Sequence, residues 1–491
     1  MSSPDDGRPL RVCLVSAEVT PFAKTGGLAD VTAALARYLA RAKHDARVVL
    51  PMYRRVREGF ESKPVAGLQD LDLELGGRGW YFSVSKLTLP RSSATVYAVR
   101  CPELYERPGI YTQDADEALR FAFLSRAAIR IAQQLGWAVD VFHCNDWHTG
   151  LLPLYLRWHY GWDKLFARTR TALTIHNIGY QGVFGEGVLE SLGLGQDKNL
   201  LYQEDLAAGH VNLLKTGLLY ADAITTVSRT YAREIQTSEL GMGLEKLLQE
   251  RSDALVGIVN GVDYGDWNPR TDPDLPARYS FRDLKGKQEC KRHLCERMHL
   301  EYDPGAPLLG IISRLTAQKG FELCYEVLPK LLGELDIRVA VLGSGEPRYE
   351  GFFRELAKRF PGRAAYDKGY KEDLSHQIEA GADVFVMPSR YEPCGLNQMY
   401  SLKYGTPPIV RRTGGLADTV QQWDPTTREG TGFLFGDFTA SALYDTLRFA
   451  LACWEDEASW KVLQRNGMTQ DFSWDVQGLE YVDLYRRLLA R

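Results

Sequence analysis

Both halves of this chain repeat one pattern: a short apolar run of the kind that is buried as a strand, a turn, and then a stretch with helical spacing. Such alternation builds a parallel sheet covered on both faces, because each crossover lays a helix over the strands it connects. In the first half Arg11–Val19 reads as a strand, Leu28–Ala42 carries Leu28, Val31, Leu35 and Leu39 at helical spacing, and Ala46–Met52 is a strand again. In the second half Leu308–Leu315, Arg338–Gly343, Asp383–Pro388 and Pro408–Val410 read as strands, separated by helix-like stretches such as Lys319–Leu332 and Lys371–Ala380. With 491 residues, the chain exceeds the roughly 250–300 at which one hydrophobic core stops growing. The expected architecture is α/β, with two doubly wound, Rossmann-like domains. Turn formers crowd Asn260–Pro276, which puts the boundary there.

The charges narrow the partners. The 59 basic and 63 acidic residues are mixed along the whole length for a net charge of −4, so no basic field exists to hold a nucleic-acid backbone or an anionic membrane. No stretch approaches the ~20 apolar residues of a membrane helix. The polar start, Met1 to Pro9, has no signal-peptide core, and the eight cysteines are dispersed. A cytoplasmic location with reduced thiols is expected.

Candidate chemistry gathers where strands end. Lys24-Thr25-Gly26-Gly27-Leu28-Ala29-Asp30 follows the first strand and opens a helix, so its amides and Lys24 can face an anion. It is neither the dinucleotide fingerprint nor the Walker pattern. It recurs almost letter for letter as Arg412-Thr413-Gly414-Gly415-Leu416-Ala417-Asp418, which suggests a similar loop in each domain. Arg314 and Lys319 meet at the end of the Leu308–Leu315 strand, where two cations suit a departing diphosphate. Pro393 keeps Glu392 out of the following helix, leaving its carboxylate to accept from sugar hydroxyls beside the Gly395 and Leu396 amides. His176 and Asn260 end further strands, and Tyr370 offers a ring for a base.

Two clusters look like metal boxes. Cys290, His293, Cys295 and His299 fall near about 0°, 300°, 140° and 180° on a helix and cannot converge on one ion. Within His143–His148, Asp146 and His148 read as strand-end polar groups or as a helix cap.

Cations for a diphosphate, a carboxylate and amides for hydroxyls, and a ring for a base together describe a sugar-nucleotide transferase. Lys24-Thr-Gly-Gly-Leu-Ala-Asp-Val31, His143…Asn145-Asp-Trp-His148, Thr174-Ile-His-Asn177, Ser313-Arg-Leu-Thr…Gln318-Lys-Gly320 and Glu392-Pro-Cys-Gly-Leu396 resemble the signatures of bacterial glycogen synthases and plant starch synthases, from about Arg11 to the C-terminus. The resemblance implies the GT-B fold, two Rossmann-like domains facing each other across a deep cleft. It implies an N-terminal acceptor-side domain over 1–260, a C-terminal donor-side domain over 261–470, and a helix over 471–491 that crosses back to the first. It also implies transfer of glucose from ADP-glucose to the non-reducing 4-hydroxyl of an α-1,4-glucan such as glycogen, with retention of configuration.

Carried over by position, the resemblance puts Arg314 and Lys319 on the diphosphate, with Lys24, Gly26 and Gly27 beside the phosphates and the sugar. Glu392, Cys394, Gly395 and Leu396 hold glucose hydroxyls, His176 and Asn260 lie near its 6-hydroxyl and reacting carbon, and Tyr370 meets the adenine. Asp30 and Asp146 match further family positions, with Glu18 a secondary candidate. No metal and no pyridoxal phosphate are expected. UDP-glucose as donor and a glucan phosphorylase are the alternatives.

Overall fold

The computed structural model describes residues 7–490; the polar residues 1–6 and Arg491 lie outside the described residues. The chain divides into two compact units, one comprising Met1–Val227, Ala232–Gly261 and Trp474–Arg491, the other Ser228–Tyr231 and Val262–Ser473.

The first unit is built on a parallel sheet whose strands are β1 (Arg11–Val15), β2 (Asp45–Pro51), β3 (Thr95–Arg100), β4 (Val141–Asn145), β5 (Arg170–Ile175), β6 (Ala223–Thr226) and β7 (Leu255–Gly257). Their spatial order is β7-β6-β5-β4-β1-β2-β3, continued past β3 by the antiparallel strands Arg78–Thr88 and Ser62–Pro64. β1 pairs with β2 on one side and β4 on the other, so the strand order reverses there. In open α/β sheets such a point opens a crevice beyond the carboxyl ends of the strands.

Helix α1 (Gly27–Arg41) buries Leu28, Val31, Leu35 and Leu39, as its spacing requires. The last helix of the chain, Trp474–Leu489, packs on α1, where Gly478 lets the Tyr38 ring lie against its backbone. Its Tyr485 hydroxyl is 2.6 Å from His143 Nδ1 in β4.

The second unit carries β8 (Leu308–Leu315), β9 (Arg338–Gly345), β10 (Ala364–Lys368), β11 (Val384–Met387), β12 (Pro408–Arg411) and β13 (Phe433–Phe435). All six are parallel, in the order β10-β9-β8-β11-β12-β13, so β8 is the reversal point. Leu309, Ile311, Val339, Val341, Val384, Val386 and Ile409 build a core from this sheet, the near-continuous apolar runs that a sheet buried on both faces demands.

Local boundaries differ from expectation at a few places. The helix expected from Lys319 begins at Cys324, because two 3₁₀ turns and a left-handed Gly320 (φ +69°) intervene. The strand expected over Arg11–Val19 stops at Val15, which leaves Glu18 on the loop beyond it. β7 ends at Gly257, so Asn260 lies three residues past the strand.

Candidate active site

In the first unit the register lines up the ends of β1, β4 and β5: Val15 pairs with Cys144, and Asn145 with Thr174. Glu18, Asp146 and His176 therefore follow neighbouring strands. Glu18 is buried, and its carboxylate accepts hydrogen bonds from the Thr25 amide, the Thr25 hydroxyl (2.6 Å), the Gly26 amide (3.2 Å) and the Tyr111 hydroxyl. An ionised carboxylate is well matched to amides at a helix start. The amide of Gly26, expected to face a ligand, is thus engaged inside the protein. Lys24 is exposed and ion-pairs with Asp30 at 2.9 Å, and Asp30 also accepts from the Thr20 hydroxyl at 2.8 Å.

Asp146 stands in a sparsely populated backbone region (φ +55°, ψ −172°). Its carboxylate does not cap the short helix that follows; it accepts from the His176 amide at 2.7 Å. Burial pushes the Asp146 carboxyl up to about 7, opposed by the amide hydrogen bonds that favour the anion. The His176 ring places Nε2 2.9 Å from Asn145 Oδ1, while Asn145 Nδ2 donates to the Val15 carbonyl at 3.0 Å. Because the Asn145 oxygen is the acceptor, His176 Nε2 carries the hydrogen and Nδ1 keeps its lone pair. Burial lowers the pKa of His176 to about 3, so the ring is neutral. His148 is buried between the rings of Tyr111 and Phe121, with centroids at 4.8 and 4.6 Å. Asn260 is buried and its Oδ1 has no hydrogen-bond partner. Such an acceptor costs about 1–3 kcal/mol and suits a hydroxyl that arrives with a ligand.

Tyr111 is the residue that sequence reasoning missed here. It lies in a loop without a motif, and only its contacts with Glu18 and His148 reveal it.

In the second unit Arg314 lies near the end of β8 with its side chain exposed, and Lys319 on the turn beyond. Lys319 forms an ion pair, its Nζ 2.5 Å from Glu392 Oε2, which also accepts from the Ser389 hydroxyl at 3.1 Å. Glu392 is 5% exposed, so this carboxylate is held for a few partners rather than solvated. Cys394 is buried next to it, and the helix Asn397–Lys403 begins just beyond. Among the described residues, the Gly395 and Leu396 amides have no backbone or side-chain acceptor. They remain available, as helix-start donors are. Tyr370 follows β10 and is 65% exposed, the condition a stacking platform needs.

Asp272, Asp274 and His376 form the metal-capable trio found among the described residues. Its central group is already in use: Asp272 accepts from Tyr404 and the Asp274 amide and sits 2.7 Å from His376 Nδ1.

Comparison with known proteins places these two edges in context. Residues 11–250 match the family described as the starch synthase catalytic domain, and residues 297–466 match glycosyl transferases group 1. The chain is 43% identical to a glycogen synthase of Desulforudis audaxviator, over 99% of this chain and 97% of the relative. It is 44% identical to a glycogen synthase of an Anaeromyxobacter species, over 98% of this chain and all of the relative.

The chain belongs to the glycogen and starch synthase family. As a member it is a glycosyltransferase, and its two doubly wound units are those of the GT-B fold. The catalytic domain of starch synthase IV from Arabidopsis thaliana, solved with ADP and acarbose, superposes with a TM-score of 0.89 at 33% identity, over 99% of this chain and 100% of that one. A sucrose-phosphate synthase from Thermosynechococcus elongatus shares the fold at a TM-score of 0.59 and 19% identity, over 98% of this chain and 99% of that one.

Proposed function

We propose that this protein lengthens an α-1,4-glucan by moving glucose from ADP-glucose to the non-reducing 4-hydroxyl, with retention of configuration. The observation that carries the reading is the second unit's strand-end cluster: Lys319 locked to a buried Glu392, with the uncommitted amides of Gly395 and Leu396 at the adjoining helix start. Family membership and the ADP-bound plant homologue support the same donor class.

In this reading Arg314 and Lys319 stabilise the charge that grows on the leaving diphosphate, an effect largest in the transition state. Glu392 accepts from glucose hydroxyls, Cys394 shapes the pocket, and the Gly395 and Leu396 amides donate. Tyr370 stacks on the adenine. From the first unit, His176 and Asn260 act on the 6-hydroxyl and reacting carbon, Lys24 acts on the phosphates and sugar with Gly26 and Gly27 beside it, and Asp146 and Asp30 match further family positions. A neutral His176 whose Nδ1 keeps its lone pair can accept a hydrogen bond from a hydroxyl without placing positive charge beside an oxocarbenium-like centre.

No carboxylate is assigned as a nucleophile, so the acceptor oxygen attacks from the face the diphosphate leaves, and the departing phosphate takes its proton. Water is kept away from the donor during this step. Trapping of a covalent glucosyl-protein adduct would overturn the step. The reaction requires neither a metal nor pyridoxal phosphate, and the partners are ADP-glucose and glycogen in the cytoplasm. No nucleic acid or membrane takes part. Among the described residues no helix is long and apolar enough to cross a membrane.

The test is incorporation of labelled glucose into glycogen from ADP-glucose and UDP-glucose in parallel, without added metal, beside a Lys319→Ala variant. Transfer from ADP-glucose that falls at least ~100-fold in the variant is expected. Transfer from UDP-glucose alone overturns the donor, and transfer from neither overturns the reaction.

A further inference from the structure

Gln398 is fully buried at the start of the helix Asn397–Lys403, yet its side chain is turned back onto the loop before that helix. Its Nε2 donates to the Cys394 carbonyl at 3.0 Å, the Gly395 carbonyl at 3.1 Å and the Thr419 hydroxyl at 3.0 Å. Two carbonyl partners require a donor, and the Thr419 hydroxyl spends its hydrogen on the Gly415 carbonyl at 2.6 Å, so the amide orientation is fixed by its surroundings. Gln398 Oε1 has no hydrogen-bond partner and lies where a side chain on Gly395 would go. Gly415 closes the ring, its amide donating to the Glu392 carbonyl at 3.0 Å.

A planar trans peptide holds its C=O and N–H on opposite sides. The Cys394 carbonyl shares a plane with the Gly395 N–H, and the Gly395 carbonyl with the Leu396 N–H. One primary amide therefore orients two consecutive peptide planes and presents both N–H groups on the side away from itself.

We propose that Gln398 is a positioning residue for the donor sugar: by holding the Cys394 and Gly395 carbonyls it aims the Gly395 and Leu396 amides at the glucose hydroxyls. Thr419 ties this clamp to the second Gly-Gly loop. The inference rests on the transferase reading above, and the assay separates the two, because wild-type protein that moves no glucose from ADP-glucose fails that reading directly.

The experiment compares wild type with Gln398→Met, which keeps length and loses the donor, measuring kcat and KM for ADP-glucose, ADP affinity by calorimetry, and the unfolding midpoint. A misaimed pair of donors is expected to lower kcat by about 10- to 100-fold, while ADP, which has no glucose, binds within about twofold of wild type. ADP-glucose analogues lacking single hydroxyls supply a readout that loose packing does not move. The penalty wild type shows for removing the hydroxyl bound by these amides should shrink in the variant. Thr419→Val, which leaves Gln398 in place, should show the same pattern at smaller size and covers the case in which Gln398→Met does not fold. Wild-type kcat in Gln398→Met, or equal losses of ADP binding and turnover in Thr419→Val, would overturn the proposal.

Discussion

In the first unit the loop Lys24–Asp30 leaves β1 with Gly26 extended (φ −155°), and a methyl group added there would meet no atom within 4 Å. In the second unit the near-identical loop Arg412–Asp418 leaves β12 with Gly414 left-handed (φ +45°) and both glycines buried. A side chain on Gly414 would run into the Glu392 carbonyl, and one on Gly415 into the Cys394 backbone. The acids differ too: Asp30 pairs with Lys24 and Thr20, whereas Asp418 accepts from the Thr230 amide at 2.8 Å and hydroxyl at 2.6 Å. Gly26 thus leaves space open beside its loop, and the second glycine pair lets two backbones touch. The shared letters record a shared turn into a helix, and neighbours brought in by the sheet decide what the turn is for.

This contrast can be broken or sharpened by experiment. Gly415→Ala forces a methyl into the Cys394 backbone, so the variant should lose about 3 kcal/mol of stability together with its turnover. An unfolding midpoint equal to wild type would remove the packing role. The matching change in the first unit, Gly26→Ala, should leave the midpoint in place while glucose transfer falls about 10-fold; full activity would show that the open space is not used.

Glu18→Gln tests the carboxylate that organises the first loop. It replaces an anion serving two amides and two hydroxyls, and should cost about 1–2 kcal/mol, seen as faster hydrogen exchange at Thr25 and Gly26. The corresponding loop in the second unit, whose Gly415 amide donates to the Glu392 carbonyl at 3.0 Å, should exchange unchanged.

The last contrast concerns pH. Burial lowers His143, His148 and His176 to about 3, against an ordinary value of about 6.5 in the unfolded chain. Between these values the unfolded chain binds more protons, so this contribution is complete above about pH 6.5 and is lost as pH falls toward 3. Asp146, raised to about 7, has the opposite sign, and its contribution falls as pH rises toward 7. His148→Phe should flatten the acid limb of the stability curve measured by denaturant unfolding from pH 6.5 downward. An unchanged slope would show that His148 is not part of it.

Much of the fold was legible because its signals are local. β8 spans Leu308–Leu315 as its apolar run indicates, and α1 shows the face set by Leu28, Val31, Leu35 and Leu39. Pro393 stands in the loop that keeps Glu392 out of the helix beginning at Asn397, and Gly405, left-handed at φ +65°, ends that helix. The site was legible as residue types at strand ends, but not as a wiring diagram. Lys319 pairs with Glu392, 73 positions away, and Glu18 with Tyr111, 93 positions away. Neither spacing has a period.

By itself, then, the sequence determined the α/β class, the repeated doubly wound plan and the chemistry available at each strand end. These follow from backbone preferences and hydrophobic periodicity within a few residues. Only the tertiary structure decided that the Gly26 amide serves Glu18, that the second glycine pair is a packing contact, and that Gln398 holds the loop beside Glu392. Those outcomes depend on which strands the sheet makes neighbours and on how closely buried backbones can approach, and residues adjacent in the chain do not encode either distance.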